Sequence, residues 1–284
     1  MLKVEWKKLT LSDIPFVKPY FEKYYDGSCD MTVGGTFIWR DYYKTEFALY
    51  KNTLVFRENL TGSFCFPIGP EAEEAISVIG KAKYSFVTEK NKERLLSVFP
   101  EAKVHYNRDN SDYIYDAESM ITLSGKSLSG QRNHINKFLR LYPDYSFDRI
   151  TKENIDKVTE FFKKNAENAE KISESAEEDR KKTFEVLENY SEYACVGGVL
   201  SVGGEIIGGS IGEIVGDTLI VHIEKANVNF AGAYPMLTNQ FNKAFAKNVR
   251  FINREDDAGD EGLRKNKLSY RPVKLLDKFD IDAR

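Results

Sequence analysis

The sequence has few cysteines, and they lie far apart. Cys29, Cys65 and Cys195 are the three among 284 residues, and none of them forms a C-x-x-C pair. This spacing gives neither a disulfide framework nor a zinc knuckle. We therefore expect free thiols and a reducing compartment.

Long apolar runs and an excess of positive charge are also missing. No segment approaches the roughly 18 apolar residues that span a bilayer. The first residues, MLKVEWKKLTLSD, lack the apolar core of a signal peptide. The 41 basic residues face 44 acidic ones, and a net charge of −3 argues against a generally basic nucleic-acid binder. These absences predict a cytoplasmic protein without a transmembrane segment, which could still act at a membrane surface.

What the chain does have is an ordinary core composition, 42% hydrophobic, and alternating helix and strand signals. Three strand-like runs follow one another, Tyr193 to Val202, Glu205 to Ile214 and Thr218 to Ala226. The glycine-containing dipeptides between them suit tight hairpin turns. A helix over Tyr234 to Lys247 and a strand over Val249 to Arg254 come next, which predicts the α+β class.

Two further segments bear on the domain organisation of the chain. Tyr113 to Leu123 is strand-like, and Ser124-Gly125-Lys126 looks like a break. We therefore divide the chain into domains 1–124 and 125–284. Glu167 to Tyr190 is polar and highly charged, which predicts a pair of helices exposed on the outside.

His222 and Glu224 stand two residues apart on the third strand-like run. Regular alternation would place both side chains on one face of a sheet, with apolar Leu219, Val221 and Ile223 on the other. The pair could serve catalysis. Alternatively, His222 is a hydrogen-bonded sheet residue and Glu224 pairs with a cation.

A loop from Arg254 to Glu261 holds five carboxylates in seven residues. Its spacing does not fit the calcium pattern, and no His or Cys lies nearby, so we predict no metal. Asp256 and Asp257 could accept hydrogen bonds from an ammonium group such as the α-amine of an aminoacyl substrate. Asp260 is expected to cap the helix that follows.

A basic surface is predicted on the helix after residue 125. Lys126, Arg132, Lys137 and Arg140 occur there without an acidic residue. We expect Lys126 and Arg132 to bind the phosphates of tRNA, of a lipid headgroup or of a coenzyme. The alternative is a solvated basic helix face.

Four segments resemble a bacterial family of unassigned function that is grouped with the C-terminal domain of phosphatidylglycerol lysyltransferase. They are Phe37 to Arg40, Gly125 to Phe138, His222 to Ala226 and Phe251 to Tyr270. The order of elements also resembles the GNAT acyltransferase fold. The resemblance implies two tandem GNAT-like domains, each a mixed, mostly antiparallel sheet with flanking helices. In related enzymes such a pair transfers an aminoacyl group from aminoacyl-tRNA to a lipid or a cell-wall precursor.

The resemblance implies roles for individual residues. Glu224 would be the general base, Tyr270 an acid that protonates the leaving group, and His222 a further catalytic residue. The GNAT phosphate-binding pattern, R/Q-x-x-G-x-G/A, falls on residues 229–234. The substrate pocket is predicted to consist of Arg254, Asp256, Asp257, Arg264, Lys225 and Asn253. The anion-binding turn is predicted to consist of Asn229, Gly232 and Ala233.

The donor stays open between aminoacyl-tRNA and acyl-CoA, with no cofactor required. Asn229 replaces the usual Arg or Gln, and Tyr234 replaces the final small residue, so the phosphate-binding turn departs from the pattern at two positions. This departure counts against acetyl-CoA. The acceptor would be an amine or hydroxyl of a small molecule, a peptide or a lipid headgroup. An acyl-CoA-dependent N-acetyltransferase and a non-catalytic binding module are the alternative functions.

Overall fold

The computed structural model describes residues 4–167 and 174–284. Among them, the helices are α1 Ile14–Tyr24, α2 Val33–Ile38, α3 Ala72–Ile79, α4 Glu89–Val98, α5 Ala117–Thr122, α6 Ser129–Leu141, α7 Ile155–Glu167, α8 Glu174–Glu188, α9 Ala233–Phe245 and α10 Glu261–Ser269. The strands are β1 Lys7–Lys8, β2 Thr45–Tyr50, β3 Thr53–Glu58, β4 Ser63–Phe64, β5 Lys83–Thr88, β6 Lys103–Tyr106, β7 Asp112–Asp116, β8 Tyr145–Arg149, β9 Val196–Val202, β10 Glu205–Val215, β11 Thr218–Ala226, β12 Phe251–Asn253, β13 Lys274–Leu276 and β14 Lys278–Asp282.

The chain forms two compact units that interleave in sequence. Unit 1 comprises Met1–Tyr113, Glu255–Arg264 and Lys274–Arg284, and unit 2 comprises Ile114–Arg254 and Lys265–Val273. The domains 1–124 and 125–284 remain a prediction. In the part of the chain that the structure describes, no helix combines the length and the apolar character needed to cross a bilayer.

Unit 1 is built on a seven-stranded sheet in the order β1-β2-β3-β4-β5-β14-β6. Strands β4 and β5 run parallel, whereas β14 is antiparallel to both β5 and β6. The C-terminal strand is therefore internal to this sheet. Ile281 of β14 is buried in one core cluster with Ile76, Tyr84 and Leu95.

The second sheet also has seven strands, in the order β13-β7-β12-β11-β10-β9-β8. Strands β8 to β11 form an antiparallel meander, and β12 is parallel to β11. Gly203, Gly204 and Gly216 all adopt the positive φ that the predicted hairpin turns require. The α+β class is thereby confirmed.

Helices cover both faces of the β10–β11 pair in unit 2. A Cβ added to Gly209 would lie 2.8 Å from Phe162 of α7, whereas one added to Gly208 would lie 3.2 Å from Leu237 of α9. Neighbouring residues of a strand point to opposite faces, so α7 and α9 pack on opposite sides. The side facing α9 contains the candidate site.

Two sequence predictions differ from the structure. Residues 117–122 form helix α5 rather than the end of a strand, because Asp116 Oδ1 accepts a hydrogen bond from Ser119 N at 2.8 Å and starts a helical turn. In the predicted outer helix pair, residues 168–173 lie outside the described residues. The C-terminal part of α8 is not simply solvated, since Val186 and Leu187 are buried.

Candidate active site

Four polar side chains of unit 2 meet on the α9 side of the sheet. Glu224 comes from β11, Thr238 from α9, Arg254 from the end of β12, and Tyr270 follows α10. Arg254 Nη2 donates to Glu224 Oε1 at 2.9 Å, and Thr238 Oγ1 donates to the same oxygen at 3.0 Å. The Thr238 hydroxyl also interacts with Tyr270 and acts to lower its pKa, against the larger effect of burial. We call these four residues the Glu224 cluster.

The register of the strands explains how the cluster is held. Ser210 of β10 lies directly opposite Glu224 of β11, so both side chains share one face. The parallel pairing of β12 with the start of β11 aligns Ile220 with Asn253. Arg254 is the residue after that strand. The sheet therefore brings a carboxylate and a cation from positions 30 residues apart to one point.

The cluster is enclosed except near Glu224. Arg254 is 8% exposed and Tyr270 is 4% exposed, whereas the Glu224 side chain keeps 12% of its surface open. Both hydrogen bonds to Glu224 end on Oε1, and among the described residues Oε2 accepts none. Oε2 is consequently the carboxylate oxygen that can accept a further hydrogen bond or a proton.

Burial also sets the protonation of the neighbouring groups. Loss of solvent raises the pKa of Tyr270 to about 12, so its hydroxyl keeps its proton at neutral pH. Burial opposes the charge of Arg254, yet the nearby Glu224 carboxylate outweighs it and the pKa of Arg254 is raised. The guanidinium lies 5.0 Å from the centroid of the Tyr270 ring, a cation–π contact.

His222 lies at an irregularity of the sheet. Ile223 pairs with Ile211 and Val221 with Gly212, which leaves His222 as an extra residue between two ladder pairs. Its Nε2 and Glu213 Oε1 lie 2.8 Å apart, and the His222 side chain is 2% exposed. The sequence argument from strict alternation therefore does not apply at this residue. A catalytic role of His222 remains a prediction.

Two predicted pocket residues of unit 2 have other surroundings. Lys225 Nζ donates to Asp179 Oδ2 at 2.8 Å. It follows Glu224 on the strand and so points to the α7 side of the sheet. Asn253 is fully buried in β12. Their predicted contact with substrate remains a prediction.

The acidic loop belongs to unit 1, where Asp257 has a structural environment. Arg264 holds it in a bidentate ion pair, with Nη2 to Oδ1 at 2.7 Å and Nε to Oδ2 at 2.9 Å. Tyr113 donates its hydroxyl to Oδ2 at 2.5 Å. Although burial opposes ionisation, these hydrogen bonds lower the pKa of Asp257 to about 2. Asp260 caps α10 as predicted, accepting from Leu263 N at 2.6 Å.

Asp256 lies beside a buried lysine that sequence reasoning missed. Lys278 of β14 is 1% exposed, and its Nζ lies 2.8 Å from Asp112, 2.7 Å from Asp30 and 3.7 Å from Asp256. Burial raises the pKa of Asp256 to about 6 despite the ammonium nearby. The C-terminal residues VKLLDKFDIDAR alternate charged and apolar positions and do not single out Lys278, whose partner Asp30 lies 248 positions away.

The same place contains a potential metal group. Cys29, Asp30 and Asp112 offer ligand atoms within 4.8 Å of one another. The Lys278 ammonium already supplies a positive charge there, at hydrogen-bonding distance from both carboxylates. The donor set therefore fits an ammonium ion better than a divalent metal.

The predicted anion-binding residues are distributed over unit 2. Arg132 Nη1 donates to the carbonyl oxygens of Leu123 and Gly125, and so closes the end of α5. Gly232 packs against α6, since an added Cβ would lie 2.6 Å from His134 O. Ala233 N donates to Phe230 O at 3.0 Å. Packing and turn formation thus account for three of these residues, and anion binding remains a prediction.

An open cleft of about 790 Å³ lies at the end of β11. Asn229 and Tyr234 line it, together with Lys157 and Lys164 of α7. Tyr234 lies one helical turn before Thr238, whose hydroxyl can also donate to Tyr234 O at 3.0 Å. The four residues of the Glu224 cluster do not themselves line this cleft. Lys126 is exposed on the surface of unit 2.

Comparison with known proteins defines the class. The architecture, with its two mixed seven-stranded sheets, is the tandem GNAT-like fold, which acyl- and aminoacyltransferases share. The family model of the phosphatidylglycerol lysyltransferase C-terminal region matches residues 21–281. The chain belongs to this family, as the resemblance in the four segments named above predicted.

Individual relatives agree with this assignment. An uncharacterized protein of Mycoplasmoides gallisepticum is 23% identical over 175 residues, which are 61% of this chain and 56% of the relative's length. A conserved protein of unknown function from Bacteroides thetaiotaomicron is 30% identical, with coverage of 99% and 100% of the two chains and a TM-score of 0.88. L-PGS from Bacillus licheniformis is 14% identical, with coverage of 94% and 91% and a TM-score of 0.63, a likeness of fold alone.

Proposed function

We propose that this protein is an acyltransferase that moves an aminoacyl group from aminoacyl-tRNA to an amine or hydroxyl. Membership in the phosphatidylglycerol lysyltransferase family supports the reaction class. The observation that carries the proposal is the Glu224 cluster, in which Oε1 of a buried glutamate is fixed by two donors while Oε2 accepts none among the described residues.

The proposed chemistry needs one base and one acid. Glu224 Oε2 takes the proton from the acceptor N–H or O–H, and the freed electron pair forms a bond to the acyl carbon. The ester bond between that carbon and the ribose oxygen then breaks. Tyr270 donates its proton to the leaving oxygen. No metal is required, because positioning and proton transfer suffice.

Glu224 and Tyr270 must recover their protonation states after each transfer. At that point Glu224 Oε2 holds a proton and Tyr270 lacks one. The Glu224 side chain is 12% exposed, so Oε2 releases its proton to solvent, and Tyr270, whose raised pKa favours the neutral hydroxyl, takes one up. Each turnover then begins from the same state.

A ligand screen tests the choice of donor. The melting temperature would be measured with bulk tRNA carrying its amino acids, with the same tRNA after mild alkaline deacylation, and with acetyl-CoA. We expect the charged tRNA to stabilise the protein more than the deacylated tRNA, because only the former fills the site beside Glu224. Stabilisation by acetyl-CoA alone would instead identify an acyl-CoA-dependent enzyme and overturn the aminoacyl proposal.

A further inference from the structure

Two buried polar atoms beside Glu224 have no hydrogen-bond partner among the described residues. They are Ser210 Oγ and Arg254 Nη1. Ser210 is 0% exposed and Arg254 is 8% exposed, so solvent does not satisfy them through an open surface. Buried donors are almost always paired in folded proteins, because an unpaired one costs free energy.

Both atoms belong to the face of the sheet that packs against α9. Ser210 is the cross-strand partner of Glu224 in the β10–β11 ladder, and its side chain lies on the same face. Arg254 reaches the same glutamate with Nη2, which directs the guanidinium into this region. Its second terminal nitrogen, Nη1, is thus available next to the carboxylate that Nη2 binds.

The chemistry of the two groups restricts which kind of ligand atom can bind to both of them. A guanidinium N–H only donates, and a serine hydroxyl can donate as well as accept. Two donors call for an acceptor atom without a proton of its own, and the positive charge of Arg254 favours one that carries or develops negative charge. A carbonyl oxygen that becomes an oxyanion during acyl transfer has these properties.

We propose that Ser210 Oγ and Arg254 Nη1 form the subsite for the carbonyl oxygen of the acyl group that is transferred. This assignment rests on the proposed acyltransferase function and adds the residues that bind the electrophile. When the acceptor attacks, the C=O electron pair moves onto this oxygen and the two donors stabilise the charge. When the bond to the leaving oxygen breaks, the pair returns and the carbonyl re-forms.

Ser210→Ala provides the test, because it removes an unpaired group. A hydroxyl with no partner in the free protein contributes nothing to the fold, so the melting temperature of the free variant should equal or exceed that of the wild type. Two probes are used: puromycin, a stable amide-linked aminoacyl nucleoside, and acetyl-CoA, a thioester. They represent the aminoacyl-tRNA donor and the acyl-CoA donor. The substitution should weaken binding about tenfold for whichever probe the wild type binds more tightly.

Ser201→Ala is the matched control, since Ser201 is a second buried serine of the same sheet, in β9. It should leave probe binding unchanged. Arg254→Lys should keep an ion pair with Glu224 but lose the second donor, and should weaken the same probe. The subsite is overturned if Ser210→Ala lowers the melting temperature without changing affinity, or if the wild type binds neither probe.

The test separates this inference from the proposed function. If Ser210→Ala weakens probe binding but the wild type transfers no aminoacyl group, the subsite stands and aminoacyl transfer falls. If transfer occurs and Ser210→Ala leaves both its rate and probe affinity unchanged, the function stands and the subsite falls. A removed oxyanion donor should lower the transfer rate by about a hundredfold.

Discussion

Glu224 and Asp257 each form an ion pair with an arginine, but they differ in how many of their carboxylate oxygens accept hydrogen bonds. Asp257 is fully buried, and its two oxygens are engaged by Arg264 and Tyr113. Glu224 is bonded through Oε1 only, and its side chain is partly exposed. A carboxylate with every lone-pair direction engaged is a structural group, whereas one with an open oxygen can accept a proton. Residue identity alone does not distinguish the two.

Asp257→Asn should lower the free energy of unfolding by about 2 to 3 kcal/mol at neutral pH, the value of roughly two pKa units. The folded pKa of about 2 lies below the unfolded value near 4. The carboxylate therefore stabilises the fold fully above about pH 4, and this contribution is lost as the pH falls through about 2. Urea unfolding of both proteins between pH 7 and pH 2.5 measures the difference.

Asp260→Asn is the control for this prediction. It retains a good helix cap for α10, so its unfolding free energy should stay within about 0.5 kcal/mol of the wild type. If the difference between the wild type and Asp257→Asn grows as the pH is lowered, the ion pair with Arg264 does not have the assigned role.

At the scale of elements, the irregularity in the β10–β11 ladder depends on a glycine. A Cβ added to Gly212 would lie 2.1 Å from Ile220 O, a backbone atom that cannot move alone. We expect Gly212→Ala to cost about 1 to 3 kcal/mol and to displace β11, which positions Glu224. Thermal unfolding and transfer activity would both report the change.

Gly130→Ala supplies a matched comparison on helix α6. Nothing lies within 4 Å of the added Cβ at this position. An alanine in a helix loses less conformational entropy than a glycine, so this variant should gain up to about 1 kcal/mol. Equal effects of the two substitutions would show that the ladder does not require Gly212.

The elements also show what the sequence could predict. Strands β9, β10 and β11 were predictable because alternation and glycine turns are local signals. The extra residue at His222 was not, since a period-2 pattern cannot show where a ladder slips. Arg254 was expected near Glu224 only through the family resemblance. Ser210 gave no signal, because its importance comes from its register opposite Glu224.

At the scale of the whole molecule, the C-terminal strand completes the first sheet. Strand β14 pairs with β5 and β6, and its Lys278 is bonded to Asp30 and Asp112. Contacts of this kind join the two ends of the sequence, and no local sequence pattern predicts them. Local sequence patterns therefore do not predict that the compact units interleave.

Residues 1–124 alone should therefore fail to fold. This piece lacks β14, so it exposes the edges of β5 and β6 and leaves the buried carboxylates without Lys278. Residues 1–113 joined by short flexible linkers to residues 255–264 and then to residues 274–284 contain all three segments of unit 1 and should recover cooperative melting, measured by circular dichroism. A cooperative transition in the shorter piece would contradict this account of unit 1.

The central claim is that Glu224 is the base of an aminoacyl transfer, and one measurement tests it directly. Bulk tRNA charged with radiolabelled amino acids is incubated with the protein and a deproteinised bacterial extract, and the rate at which label moves to the extract is recorded. Glu224→Gln should lower this rate by about 10² to 10⁴-fold. Glu118→Gln, at an exposed position in α5 of the same unit, should match the wild type. Equal transfer by Glu224→Gln and the wild type, with both folded, would contradict the account.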